Sequence, residues 1–400
     1  MVPKGWRRVP LKSAAEVRSG VAKGKSGLKD PIVVPYLRVA NVQDGYINLD
    51  EVKEIEIERH QLDRYSLRHG DVLMNEGGDF DKLGRGDVWV GQINPCLHQN
   101  HVFAVRPSQE TLDSFFLAAL AASNYGKSYF LSCAKRSTNL ASINSTQIKE
   151  FPVLVPPLPE QKKIAKILST WDRAISTTEQ LLANSQQQKK ALMQQLLTGK
   201  KRLLDAHGVQ FGGEWKEYRL EELEGIGWIV LSRGKVISKE DIEKNPGTYP
   251  IYSSSIKNGG LMGTYGDFMF DEEMISWSVD GGGNFFHRPK HRFSVTNVSG
   301  YMRLDTTHLD YQFVASQLEL LHSKLEFDYQ FKAHPSVIRK LYRLTLPVLE
   351  EQHKIAAVLS VADQEIEVLQ QKLDCLKREK KALMQQLLTG KRRVNIEGAA

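Results

Sequence analysis

Two glycine-rich stretches and one group of histidine and cysteine are where this sequence could do chemistry. Gly20-Val-Ala-Lys-Gly24-Lys25-Ser26 has the residue types of a phosphate-binding loop, in which backbone N–H groups cradle phosphate oxygens beside a lysine. That loop needs four residues between its glycines, and here there are three. Gly27 and Pro31 follow, so no helix N-terminus is available to hold a phosphate. Cys96, His98 and His101 offer metal donors, but zinc needs a fourth ligand and a recognisable spacing. An amino-methyltransferase carries an Asx-Pro-Pro-aromatic tetrapeptide. The pairs Asn94-Pro95 and Asn245-Pro246 continue with Cys96 and Gly247 instead. Gly225-Ile-Gly227 is too short for a nucleotide fingerprint. No residue set points to a catalytic centre, a metal or a resident cofactor.

The remaining candidates suit binding. After the apolar run Asp71–Met74 comes Asn75–Gly86, where four glycines, Gly77, Gly78, Gly84 and Gly86, let the backbone approach a partner while Asp79, Lys82 and Arg85 present donors and acceptors. Its expected counterpart is Asp280-Gly281-Gly-Gly-Asn284, after Met274–Ser278. His98, Gln99 and Asn100 stand between a turn and the strand Val102–Val105. Asn or Gln pairs bidentately with adenine, and Arg or Lys with guanine. Asn100 and its match Asn297 equally suit a turn common to two domains. Residues that separate one target from another should differ between domains. That logic selects Lys82, Arg85, His98 and Gln99 in the first, and Ser253, Ser254, Ser255, Lys257, Asn258 and His287 in the second. Arg136, Ser137 and Thr138, and Lys332 in the second half, precede the helices described next and suit phosphate anchoring.

These residues sit in a chain that repeats itself. Lys189–Lys200 (KKALMQQLLTGK) recurs letter for letter at Lys380–Lys391. Upstream, Glu160, Gln161, Ile164, Ala165, Leu168, Ser169 and Asp172 recur 191 residues later. Trp6 and Leu11 match Trp215 and Leu220 at an offset of 209. Asn100, Arg106, Asp113 and Phe116 match Asn297, Arg303, Asp310 and Phe313 at 197. The falling offset makes the second globular unit 18 residues shorter, with its ends kept and its interior changed. A common scaffold carrying two different readers produces that pattern. Gly199 to Trp215 spans 16 residues, matched by 10 after Gly390 together with 6 up to Trp6. A circular, pseudo-twofold repeat would give this closure.

The repeated segments read as helices. Positions 164, 168, 171, 175, 178, 182, 185, 189, 192 and 196 step alternately by four and three, a heptad seam, and a matching seam runs from Ile355 to Leu387. Glu160 and Glu351 favour helix starts, and Gly199 and Gly390 suit C-caps. The expected fold class is α+β: two globular domains, 1–157 and 203–348, separated by two long antiparallel coiled-coil helices, 158–202 and 349–393. At about 1.5 Å per residue the helices would make a spacer of roughly 50 Å.

Composition agrees with an ordinary globular protein, with 41% apolar and 25% charged residues. No apolar run approaches the roughly 18 residues of a membrane span, and the N-terminus lacks a signal-peptide core. Three scattered cysteines argue against a disulfide framework and for a reducing cytoplasm. The net charge of +7 allows an acidic partner, yet residues 1–150 carry only +3 and 212–343 carry −2. Non-specific attraction to phosphate alone would be weak. A coiled-coil adaptor with two protein-binding heads stays open at this point.

Along essentially its whole length the chain resembles the specificity subunit of type I restriction–modification systems. The resemblance rests on the helix starts Pro156–Gln161 and Pro347–Gln352, and on the helix ends 196–200 and 387–391. It also rests on Pro35–Val42, Gly70–Leu73 and Leu83–Gly86 in the first domain, and on Tyr249–Ser255 and Trp277–Gly282 in the second. Val348-Leu349-Glu350 departs from the usual Pro-Leu-Pro. The resemblance implies two target-recognition domains that read a split duplex DNA site. It also implies two adenine methyltransferase subunits and a motor-nuclease restriction subunit as partners. S-adenosylmethionine, ATP and magnesium would then belong to those partners.

Overall fold

A computed structural model describes residues 2–23, 27–78, 83–136, 141–255, 257–280, 283–325 and 333–396. They form two compact units, Met1–Glu179 with Lys372–Ala400, and Gln180–Gln371. Each unit includes part of each long helix.

The long helices are Leu158–Leu196 and Leu349–Leu387, each of 39 residues. Every position of the two heptad seams is buried or half-buried, as apolar packing along a 3.5-residue repeat requires. Within the first unit Asp172 pairs with Lys380, and Glu179 with Lys377 at 2.7 Å. Within the second, Ser185 donates to Glu365 at 3.2 Å and Lys189 pairs with Asp363 at 2.7 Å. In each unit one residue number rises as the other falls, so the helix segments run antiparallel. The offset of 191 carries Asp172 to Asp363 and Lys189 to Lys380, so the two Asp–Lys pairs exchange as a pseudo-twofold repeat demands. Both helices end at a glycine with φ +68°, Gly199 and Gly390, a left-handed cap that costs glycine nothing.

The globular part of each unit is tied to its helix by the same ladder. Arg7–Pro10 pairs antiparallel with Pro152–Val155, and Lys216–Arg219 with Arg343–Leu346. In unit one an antiparallel sheet follows the order Ala15–Ser19, Val102–Pro107, Val72–Asn75, Gly86–Val88. A separate sheet holds Lys53–Glu58, Pro31–Leu37 and Leu97–His98. In unit two a single six-stranded sheet runs Ile229–Arg233, Ser299–Leu304, Phe270–Ser278, Phe285–Val295, Tyr249–Tyr252, Leu261–Tyr265. A parallel contact recurs in both: Tyr36 and Leu37 beside Leu97 and His98, Ile251 and Tyr252 beside Ser294 and Val295.

One helix in each unit covers the sheet, Ser114–Ala122 and Tyr311–His322. Asp113 and Asp310 cap them by accepting from the Phe116 and Phe313 N–H. The cores form beneath them, with Val72, Val105, Phe116 and Leu120 in one unit and Ile275, Trp277, Met302 and Phe313 in the other. Both units are therefore α+β, as the repeat implies. No described helix is long and apolar enough to cross a membrane.

Candidate nucleic-acid interface

The residues that repeat turn out to be fasteners. Glu160 is fully buried and accepts from Arg393 at 2.6 and 2.8 Å and from the Trp6 indole at 3.1 Å. Glu351, equally buried, accepts from Arg202 at 2.6 and 2.7 Å. Each guanidinium also faces the ring of Trp6 or Trp215, at 5.7 and 5.6 Å. Gln161 accepts from the Asp113 N–H and donates to the Thr111 and Pro156 carbonyls. Gln352 repeats this with Asp310, His308 and Pro347. The basic clusters 200–202 and 391–393 thus each commit one arginine to a buried carboxylate.

The differing residues lie elsewhere. In domain one Gly77–Gly78 pairs with Ala141–Ser142, which pairs with Lys135–Arg136. The glycine segment and the basic segment, far apart in sequence, therefore share one small sheet. Asp79, Lys82, Ser137 and Thr138 lie outside the described residues, as does the Arg136 side chain. Arg85 is half-buried, and its Nε has no hydrogen-bond partner among the described residues. The glycines here were expected to open the backbone to a partner. Gly84 lies against the Phe130 ring and Gly86 against the Leu73 carbonyl, where added Cβ atoms would come within 2.6 and 1.5 Å. Those two serve internal packing.

His98 is a correction. It is 2% exposed, its Nδ1 is 2.6 Å from the Val102 carbonyl oxygen, and burial pushes its pKa down to about 4. A neutral imidazole inside the core cannot meet a base edge. Its equivalent in domain two, 197 residues on, is Val295. Gln99 and Asn100 are half-buried in the following turn, their N–H groups donating to the Leu37 and Val21 carbonyls. Gly20, the first glycine of the apparent phosphate loop, lies on the His98 carbonyl. Gly234 lies likewise on Val295, so this glycine marks close backbone approach in both domains.

In domain two most candidates do converge. Ser253 N–H donates to the Gly260 carbonyl at 2.8 Å, and Thr296 donates to the Ser253 hydroxyl at 3.0 Å. Ser278 donates to the Ser254 carbonyl at 2.8 Å, and its N–H to the Asn284 carbonyl at 3.1 Å. Ser255 accepts from the Lys257 N–H. Ser255, Lys257, Asn258 and Asp280 are exposed, and Asn258 sits at φ +50°. The Ala333 N–H donates to the Val279 carbonyl, bringing the chain just after Lys332 to the same strand end. Gly281 and Lys332 themselves lie outside the described residues.

His287 does not join them. It bonds Glu273 at 2.7 Å and lines a groove of about 640 Å³ beside Gln312, Ser316 and Glu319. Asn297 is half-buried and its carbonyl accepts from Arg233 at 2.9 Å, a backbone role. Cys96, His98 and His101 form no metal cluster. No group of three metal-ligating side chains occurs among the described residues.

Sequence reasoning missed Arg288. It is 7% exposed, donates from Nε to Ser276 at 2.8 Å and from Nη2 to the Gly259 carbonyl, and stacks 3.6 Å from the Tyr252 ring. The signal available was the alternation of Arg288, Lys290 and Arg292, which falls on the strand Phe285–Val295.

The type I restriction modification DNA specificity domain family matches residues 3–184 and 212–378. A putative type I restriction enzyme specificity subunit of Methanocaldococcus jannaschii is 26% identical over 98% of this chain and 95% of its own length. Among solved structures, the S subunit of a type I restriction–modification system from M. genitalium superposes with TM-score 0.63. That match covers 99% of this chain and 97% of the other at 15% identity. A chain from a type I system studied for complex assembly and conformational transition gives TM-score 0.57 at 17% identity, covering 98% and 100%. At those identities the structural likenesses bear on the fold.

Proposed function

The chain belongs to the type I restriction modification DNA specificity family, and from that premise we propose how it divides its work. It is the non-catalytic, DNA-recognising subunit of a type I complex. It reads a bipartite duplex target, one half-site per domain, and carries the methyltransferase and restriction subunits. The observation that carries this reading is the contrast between the matching glutamate–arginine fasteners at the two helix starts and the different loops at the strand ends. Shared residues hold the frame, so residues that differ are free to read different bases. Candidate readers are Arg85, Gln99 and the Gly77–Gly78 segment in domain one, and Ser255, Lys257, Asn258 and Asp280 in domain two. S-adenosylmethionine, ATP and magnesium are assigned to the partner subunits, and the reducing cytoplasm is the proposed site of action.

The purified chain mixed with duplex DNA, S-adenosylmethionine, ATP and magnesium should neither methylate nor cleave. With methyltransferase subunits added, methylation should appear in both halves of one split sequence. Methyl transfer by the chain alone would overturn the assignment.

A further inference from the structure

Arg288 is a cation buried without a counter-ion. The strand beside it, Phe270–Ser278, carries three carboxylates, and each is taken by another group. Asp271 pairs with Arg292 at 3.1 Å, Glu272 with Arg303 at 2.7 Å and Glu273 with His287 at 2.7 Å. No described carboxylate pairs with Arg288, whose charge is met by the face of Tyr252 and by two neutral oxygens, of Ser276 and Gly259. Its Nη1 makes no hydrogen bond to a described residue. Burial pulls its pKa down to about 10, with Tyr252 alone opposing the fall, an unusual position for a guanidinium. A buried charge left without a partner is costly, and an anion is what would relieve it. The guanidinium lies directly under Gly259 and Gly260, beside the exposed Lys257 and Asn258.

We propose that Arg288 is a phosphate seat, taking one backbone phosphate of the duplex at the domain-two half-site through its unused Nη1. This rests on the DNA-reading assignment above. The phosphate would hold the duplex against the Lys257–Gly260 turn and add affinity that is the same for every sequence. Arg288 itself carries no sequence preference.

The test uses the full chain with its methyltransferase subunits and a duplex bearing the target mapped from methylated positions in the host genome. Affinity is measured against salt concentration for wild type, Arg288→Met and Arg288→Lys. Losing one phosphate contact lowers the slope of log affinity against log salt by about 0.9. The Met variant should show that drop with its half-site preference kept, and the Lys variant should restore the slope. An unchanged slope in a binding-competent Met variant overturns the proposal, as does a relaxed half-site preference at constant slope, which would make Arg288 a brace for the turn. If the Met variant fails to fold, phosphates of the duplex are replaced singly by neutral methylphosphonates. One substitution in half-site two should then weaken wild type more than the Lys variant, and equal losses at every phosphate overturn the proposal. A wild-type complex that ignores the mapped duplex would instead sink the DNA-reading assignment.

Discussion

Where domain one meets its helix, Glu160, Gln161 and Arg393 do what Glu351, Gln352 and Arg202 do where domain two meets its own, each arginine facing a tryptophan, although Trp6 alone also donates its indole N–H to the glutamate. Among the described residues, the loops at the strand ends share no such set of side-chain contacts. Domain one pairs a glycine segment with Lys135–Arg136 in a small sheet, while domain two folds a serine-rich turn over Arg288. The fasteners are buried, bidentate and geometrically demanding, so duplication leaves them little room to vary. The turns are exposed and anchored mostly through backbone groups, so their side chains can change without disturbing the frame.

The largest expected effect tests whether the fasteners carry the frame. Glu351→Ala strands Arg202, whose side chain is only 18% exposed, and should cost about 3 kcal/mol by denaturant unfolding. Made in a Trp6→Phe background, which removes the indole bond that Glu160 alone accepts, Glu160→Ala should cost less, because the Arg393 side chain, at 43% exposure, can turn to water. Equal losses would show that burial of the arginine does not set the cost.

The next effect separates the domains by pH. His98 has a folded pKa of about 4, below the ordinary histidine value of about 6.5. The folded state thus binds fewer protons, and the stability from its neutral ring is present above about pH 6.5 and declines as pH falls towards 4. That decline is on the order of 2–3 kcal/mol. His98→Val, which copies Val295, should remove it from domain one. An acid-stability profile that does not change in that variant would contradict a buried neutral ring.

The smallest effect is also the most symmetric. Asp113→Ala and Asp310→Ala each remove a helix N-cap and should each cost about 1 kcal/mol. Unequal costs would mean that the shared caps are not equivalent in context.

The helices, their antiparallel pairing and the repeat were legible in the sequence because heptad spacing and a fixed offset are local patterns. Glu160 and Gln161 could be seen to repeat, but not why, since their partners Arg393 and Asp113 lie far away in the chain. His98 was misread because its burial depends on the parallel contact with Leu37, which periodicity does not reveal. Gly86 looked like loop freedom and is instead a close approach to Leu73. Arg288 went unread because a basic residue in a strand normally signals a solvated face. Here the turn at Gly259–Gly260 closes over it.

Each domain is assigned its own half-site. Methylated adenines can be mapped genome-wide in cells carrying the wild-type chain or the double variant Lys257→Ala, Asn258→Ala. The variant should relax or alter one half of the split target, leaving the other half and the spacing between them as in wild type. Altered preference in both halves, or none in a complex that still methylates, would contradict it.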